Sequence, residues 1–450
     1  MKTKPYIREG AKFRQVINDL KRRPEDAAAD LGVSSDHIAS ILDGRCKLSP
    51  NLVDRAVEIW PVNPSDFNVI YDDAPSGVKI MRASESASSE RVMERAGKDY
   101  YAYRDTVMSK VAMFRPEWIQ ELCVVRNNDP ENPEVQWNNG HFMHQFTYFI
   151  GPVNFYYRDS KGRKAVAVMN TGDSMYITPF VPHTFTTRQN EAGEKGLILA
   201  LTYGDKVAGD AQQELSALGP DLGSKLAMDF STRERACGAL VNLFARSISM
   251  SLQELARLSG VKGLSEIVEG LRMPKYEELE SLADVLGVNL RELLPPLVEP
   301  KVALCPYAEA RRWDFPQDGG AYKMVELANT RDLPYSKGLE VTVIEDSNEV
   351  LDIDVGLHQF GYNVGDTPLT LIWQDGRETI MSGDSFYLKP HVRHAFRGAG
   401  ARILVMRIGG RIAGEPLMEL SRLDEAGVAR AIQETSQWFS NARAESKPST

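Results

Sequence analysis

Residues 171–185 read TGDSMYITPFVPHTF, and residues 382–396 read SGDSFYLKPHVRHAF. Eight of the fifteen positions are identical without a gap, which marks an internal duplication. Upstream, His144-Gln145-Phe146 answers His358-Gln359-Phe360. Each triplet leads into an alternating, aromatic-rich stretch, TYFIGPVNFYY or GYNVGDTPLTLIW. Period-two alternation broken by Gly, Pro and Asp predicts short antiparallel strands. A helical region precedes each β region. Residues 12–60 and 238–290 both show a helix, a turn at a glycine (Gly32, Gly260) and a second amphipathic helix. That is helix-turn-helix patterning. The order is helical, β, helical, β, with linkers expected near 61–76, 206–232 and the Pro-rich 291–301. Residues 416–440 read as helix, and the closing ESKPST reads as a frayed end.

The expected domains are therefore 1–70, helix-turn-helix-like; 75–205, the first β domain; 206–298, the second helical domain; 299–415, the second β domain; and 416–450, a C-terminal helix and tail. A chain of 450 residues is too long for one ordinary core. Charged content of 26% against 42% apolar fits a soluble globular protein. No run approaches the roughly 20 apolar residues that a membrane span needs. The opening MKTKPYIREGAKFRQ has no apolar core of a secretory signal. Cys46, Cys123, Cys237 and Cys305 show no paired spacing, so a reduced, cytoplasmic setting is expected and a cysteine zinc site is not.

The β regions resemble cupins. The GD turn, the proline and the terminal histidine of GDSMYITPFVPH match the second cupin motif. The first cupin motif, His-x-His with a later Glu, is absent. The resemblance implies an α+β fold class: a tandem repeat of a helix-turn-helix-like all-α domain plus a cupin, or double-stranded β-helix, domain. In NNGHFMHQF, a strand would place His141 and Gln145 on one face and His144 on the other. His183 follows the GD turn, where cupins commonly place their last ligand. Two imidazoles and one oxygen donor form a facial set suited to Fe(II) and oxygen chemistry. The usual donor is a carboxylate, but 138–151 contains no Asp or Glu. Gln145 is the remaining oxygen donor, and its neutral amide leaves the site more positive than a carboxylate would. In the second repeat Gln359 and His394 persist while Val355 replaces His141. That region is expected to be structural.

The duplicated architecture, with NNGH and TGDS…PH, resembles the family of 2-hydroxyethylphosphonate dioxygenase and methylphosphonate synthase. The likeness covers nearly the whole chain and is sharpest at 95–103, 138–145 and 171–183. One branch of the family, forming hydroxymethylphosphonate, has a glutamate at the position of Ile177. The methylphosphonate-forming branch has an isoleucine there and a His-x-x-x-Gln…His set. His141, Gln145, Ile177 and His183 match the latter at each of those positions. The resemblance implies Fe(II) held by His141, Gln145 and His183, with His183 also beside the substrate. It further implies phosphonate binding by Arg95, Tyr103, Asn138 and Lys21. Lys21 lies eleven residues before the Gly32 turn, and Ser249 takes that place before Gly260. Met175 stands where the dioxygenase carries a tyrosine, so a different pocket wall is expected. The implied reaction cleaves the carbon–carbon bond of 2-hydroxyethylphosphonate with dioxygen and needs no external reductant or 2-oxoglutarate. The alternative within the family gives hydroxymethylphosphonate and formate. Partners are then the small substrate and dioxygen, with no nucleic acid and no membrane. A homo-oligomer would let Lys21 serve a neighbouring subunit.

A helix-turn-helix protein with a cupin is also a regulator's architecture. A DNA-reading helix presents Arg, Lys, Asn or Gln. SSDHIASILDG offers none of these, GLSEIVEGLRM offers one Arg beside two Glu, and net charge is -9. The residues therefore favour the enzyme.

Overall fold

The computed structural model describes residues 6–112, 114–204, 206–296, 301–317, 320–345 and 351–433. ESKPST and the end of the 416–440 stretch lie outside them. The chain divides into two compact units, residues 1–73 with 412–450, and residues 74–411. The fold is mixed helix and sheet. No helix among the described residues is long and apolar enough to cross a membrane.

In the first unit the helices Ile7–Asp19, Pro24–Leu31, Ser35–Leu42 and Pro50–Ile59 pack around Phe13, Ile17, Leu31, Ile38 and Ile41. Gly32 ends the second helix in the left-handed conformation. Ser34 then caps the third, its side chain accepting from the His37 amide. The helices Glu415–Leu420 and Glu425–Gln433 belong to this unit. The second unit repeats the pattern: Leu252–Ser259, a left-handed Gly260, then Leu264–Val268 and Tyr276–Leu286.

Two β regions fill the rest of the second unit. Each pairs a seven-stranded sheet with a smaller one, of four strands in the first region and three in the second. The first large sheet runs Ser174–Ile177, His144–Ile150, Leu197–Tyr203, Arg115–Glu121, Lys98–Asp105, Arg91–Arg95 from near one edge. Its outermost strand comes from the other repeat. Val302–Cys305 pairs antiparallel with Ser174–Ile177. Reciprocally, Val78–Met81 pairs with Ser385–Leu388. The two regions thus exchange their leading strands.

The duplicated GDS triplet explains this exchange. Gly172 and Gly383 take φ of 95° and 80°, which the turn needs. Asp173 accepts from Asn170 N within its turn and from Tyr307 N of the other repeat, both at 2.8 Å. Asp384 does likewise with Met381 N (3.0 Å) and Ala83 N (2.7 Å). The serines complete the clamp. Ser174 Oγ accepts from Ala328 N, and Ser385 Oγ from Val107 N. The identical letters of the repeat are the hydrogen-bond groups that tie one repeat to the other.

Between the regions lies Glu340, fully buried. It accepts from Tyr148 Oη (2.5 Å), Tyr307 Oη (2.8 Å) and the Arg402 guanidinium (2.9 Å). Breaking a buried pair leaves an uncompensated charge, whereas an exposed pair contributes little. Arg402 is 37% exposed, so Glu340→Ala chiefly strands the buried Tyr148 hydroxyl and should cost about 1–3 kcal/mol in denaturant unfolding. Arg311→Ala, at the exposed Arg311–Glu326 pair, should cost below about 1 kcal/mol.

Three buried histidines make the fold acid-sensitive. Burial pushes His183, His358 and His394 from 6.5 down to about 4. The unfolded chain then binds more protons than the folded one between these values. Their contribution is complete above about pH 6.5 and is lost as pH falls through about 4. Denaturant midpoints measured across this window should fall with acidification. A flat profile would contradict the buried neutral state.

Candidate active site

His144 and Gln145 open the strand His144–Ile150 and face opposite ways. His144 bonds the Tyr176 hydroxyl through Nδ1 and stacks on Tyr176 and Tyr203. Gln145 lines a cavity of about 200 Å³, room for a very small ligand.

His141 reaches that cavity by a route the strand reading did not foresee. Residues 138–143 are not strand. Gly140 turns the chain with φ 76°, and a Cβ there would lie 2.7 Å from the Phe180 backbone. Only glycine allows this approach, which is fixed by Phe180 N donating to His141 O. The loop thereby delivers His141 beside His183, their rings edge to face at 5.1 Å.

Both rings are oriented by backbone carbonyls. His141 Nδ1 lies 2.9 Å from Met143 O, and His183 Nδ1 lies 2.8 Å from Val181 O. A carbonyl only accepts, so each Nδ1 carries a hydrogen and each ring turns its Nε2 to the cavity. Gln145 is likewise fixed, its Nε2 donating to Thr147 Oγ1 at 2.9 Å. Its Oε1 then faces His141 Nε2 at 3.0 Å. His141 Nε2 and Gln145 Oε1 are thereby held at hydrogen-bond distance on the wall of the cavity that His183 also lines. Two imidazoles and an amide oxygen on one wall are a donor set that fits a divalent metal. Asn138 Nδ2 donates to His183 Nε2 at 3.2 Å, occupying the lone pair a metal would take. Asn138 Oδ1 receives Gly140 N and His183 N, which locks the loop to the strand. Among the described residues no group of three His, Cys, Asp or Glu has metal-binding placement. Gln145 Oε1 is the oxygen donor that the structure sets against His141.

Arg95, Tyr103 and Asn138 line the same cavity as His141, Gln145 and His183. Arg95 is braced by Gln136 O (2.8 Å) and Thr184 Oγ1 (3.1 Å) and lies over the Tyr101 ring. Burial pushes the Tyr103 hydroxyl up to about 12, so it remains a donor near neutrality. Lys21 belongs to the other unit. There it follows the first helix in a left-handed conformation (φ 57°), donating to Asp19 O. Ser249 repeats that conformation (φ 55°), so the counting that paired these positions reflects matching backbone. Met175 is fully buried and does not line the cavity, contrary to the expectation of an altered wall.

Sequence reasoning missed the opposite wall. Glu117 and Ile119 line the cavity. Glu121, on the same strand face, is fully buried, and neither of its oxygens has a partner among the described residues. Burial raises its carboxyl well above the usual carboxylate range. Alternating glutamates in RPEWIQE read as a solvent face. The cue to the contrary was the adjoining strand, where Tyr101 and Tyr103 alternate in register with them.

Residues 247–293 match the helix-turn-helix family model. The chain is 51% identical over 440 residues to methylphosphonate synthase of Nitrosopumilus maritimus strain SCM1, covering 96% of each chain. Among solved structures, Streptomyces albus 2-hydroxyethylphosphonate dioxygenase with 2-hydroxyethylphosphonate and Fe(II) bound is 36% identical. It superposes with a TM-score of 0.90 over 97% of this chain and 99% of that one. PhpD with cadmium atoms superposes at 0.72 with 20% identity, covering 95% and 99%, a likeness that shows the fold alone. With half its residues shared across nearly its whole length, this chain belongs to the methylphosphonate synthase family.

Proposed function

We propose that the chain cleaves 2-hydroxyethylphosphonate with dioxygen, giving methylphosphonate and carbon dioxide or bicarbonate. The carrying observation is the contact of His141 Nε2 with Gln145 Oε1 in an arginine-lined cavity that His183 shares. The overall conversion balances without another reagent: 2-hydroxyethylphosphonic acid and O₂ give methylphosphonic acid, CO₂ and water. The substrate supplies all the electrons, which removes the need for 2-oxoglutarate or an external reductant.

His141, Gln145 and His183 would hold Fe(II), which supplies the chemistry that activates dioxygen beside the substrate. The protein's own residues do the positioning. Arg95 offers a planar donor fork to phosphonate oxygens. Tyr103 donates a neutral hydrogen bond, and Asn138 turns its amide to the ligand once His183 Nε2 is engaged. Lys21 adds a point charge, from its own subunit or a neighbour's in a homo-oligomer. Ile177 pairs directly with Gln145 across the sheet. The two positions therefore face one point, and a carboxylate at 177 would compete with the amide for the metal. Isoleucine there leaves Gln145 unopposed, as in the methylphosphonate-forming branch.

In this reading each β region is a cupin, and the chain is a tandem repeat divided at 1–70, 75–205, 206–298, 299–415 and 416–450. The exchanged strands cross those boundaries. The second cupin is structural with respect to iron. The setting is the cytoplasm, without nucleic acid. Arg272, the arginine of GLSEIVEGLRM, is held by Glu278 at 2.8 Å rather than offered to phosphate.

Gln145→Ala should weaken Fe(II) binding by more than the roughly 10–100-fold that loss of an outer partner costs. Gln359→Ala should leave it unchanged. Anaerobic metal titration reads both, and equal losses would contradict a single site. Phosphorus NMR after turnover with Fe(II), oxygen and 2-hydroxyethylphosphonate should show methylphosphonate. Hydroxymethylphosphonate as sole product would move the chain to the other branch.

A further inference from the structure

The second β region keeps part of the first region's cluster and rebuilds the rest. Gln359 pairs with Leu388 as Gln145 pairs with Ile177. His394 opens its strand as His183 does, and its Nδ1 likewise lies 2.8 Å from a carbonyl, that of Val392. The new member is Arg407. It pairs with Gln359 where Thr202 pairs with Gln145. Its Nε donates to Gln359 Oε1 at 3.0 Å. A guanidinium thus takes the amide oxygen that in the first region faces His141.

This rebuilding leaves three demands unmet among the described residues. Arg407 is partly buried without a carboxylate partner, and burial pushes it down to about 10. Gln359 is 1% exposed, and its Nε2 is a buried donor without an acceptor. His394 is 0% exposed with its Nε2 unpartnered, and Arg407 lies near enough to oppose its protonation. Such groups are costly when left alone. The first two seek acceptors. The third differs, because Nδ1 carries the ring hydrogen and Nε2 is a lone pair seeking a donor. A halide or a fully ionised carboxylate meets only the first two. A water or an oxyanion that keeps one O–H meets all three, and only the oxyanion also brings the negative charge that Arg407 lacks a partner for.

We propose that the second β region binds a small protonated oxyanion of the hydrogen-phosphonate, hydrogen-phosphate or bicarbonate type. Its oxygens accept from Arg407 and the Gln359 amide, and its O–H donates to His394 Nε2. The inference stands on these residues alone and does not depend on the chemistry assigned to the first region.

Thermal unfolding of the full chain tests it, with inorganic phosphate, methylphosphonate, bicarbonate, formate and bromide as probes. At least one of the first three should raise Tm by about 2 °C or more in the wild type, with formate and bromide inert. Arg407→Met should lose that increment while turning over within about twofold of wild type. Bicarbonate as the stronger probe assigns the site to a one-carbon product, and methylphosphonate or phosphate to phosphorus oxyanions. Equal stabilisation of wild type and variant, or an equal response to formate, would overturn the proposal. Should Arg407→Met fail to fold, a wild-type crystal soaked in arsenate decides. An anomalous peak between Arg407, Gln359 and His394 is expected, and water alone there overturns the site. A peak without any solution stabilisation marks an adventitious ion only and also overturns it.

Discussion

His141 Nε2 and Gln145 Oε1 rest 3.0 Å apart on one cavity wall, and that contact organises the candidate centre. Neither atom is free to turn away. Met143 O fixes the His141 tautomer, and Thr147 fixes the Gln145 amide. Each group satisfies its other hydrogen bond while facing the cavity. His183 is prepared in the same way by Val181 O. The neutral amide also matters for the ligand. A carboxylate would cancel part of the metal's charge and repel a phosphonate, whereas an amide leaves the field to attract it.

The surrounding architecture keeps those groups in register. The GDS turn supplies a left-handed glycine, an aspartate that holds both its own turn and the other repeat, and a serine that holds a second segment of that repeat. Because the turn precedes the strand that ends at Ile177, the clamp fixes the strand directly beside Gln145. Glu340, with Tyr148, Tyr307 and Arg402, adds a buried ionic link between the same two regions. The second region is thus part of the scaffold for the first. Having no His141 equivalent, it places a guanidinium where the first region would hold a cation.

Much of this was legible in the residues, and the rest was hidden for identifiable reasons. The duplication showed because the clamp residues must be identical to do the same work twice. Gln145 showed because a strand alternates, and His183 because it follows the GD turn. His141 lines the cavity for a reason other than strand alternation: it sits in a loop turned by Gly140, and a loop has no period. The strand exchange was invisible, since VKIM and VALC read as ordinary strands whichever sheet they join. Glu117 and Glu121 were passed over because composition treats carboxylates as solvent-facing, and only the cross-strand register turns them inward. Arg407 was missed for the same reason.

The most direct measurement is a crystal of the iron-loaded protein, grown without oxygen and read by anomalous diffraction at the iron edge. The account predicts one iron peak per chain, bonded by His141 Nε2, Gln145 Oε1 and His183 Nε2, with no carboxylate in contact. An iron held through Glu117 or Glu121, or a peak in the second β region with none in the first, would contradict it.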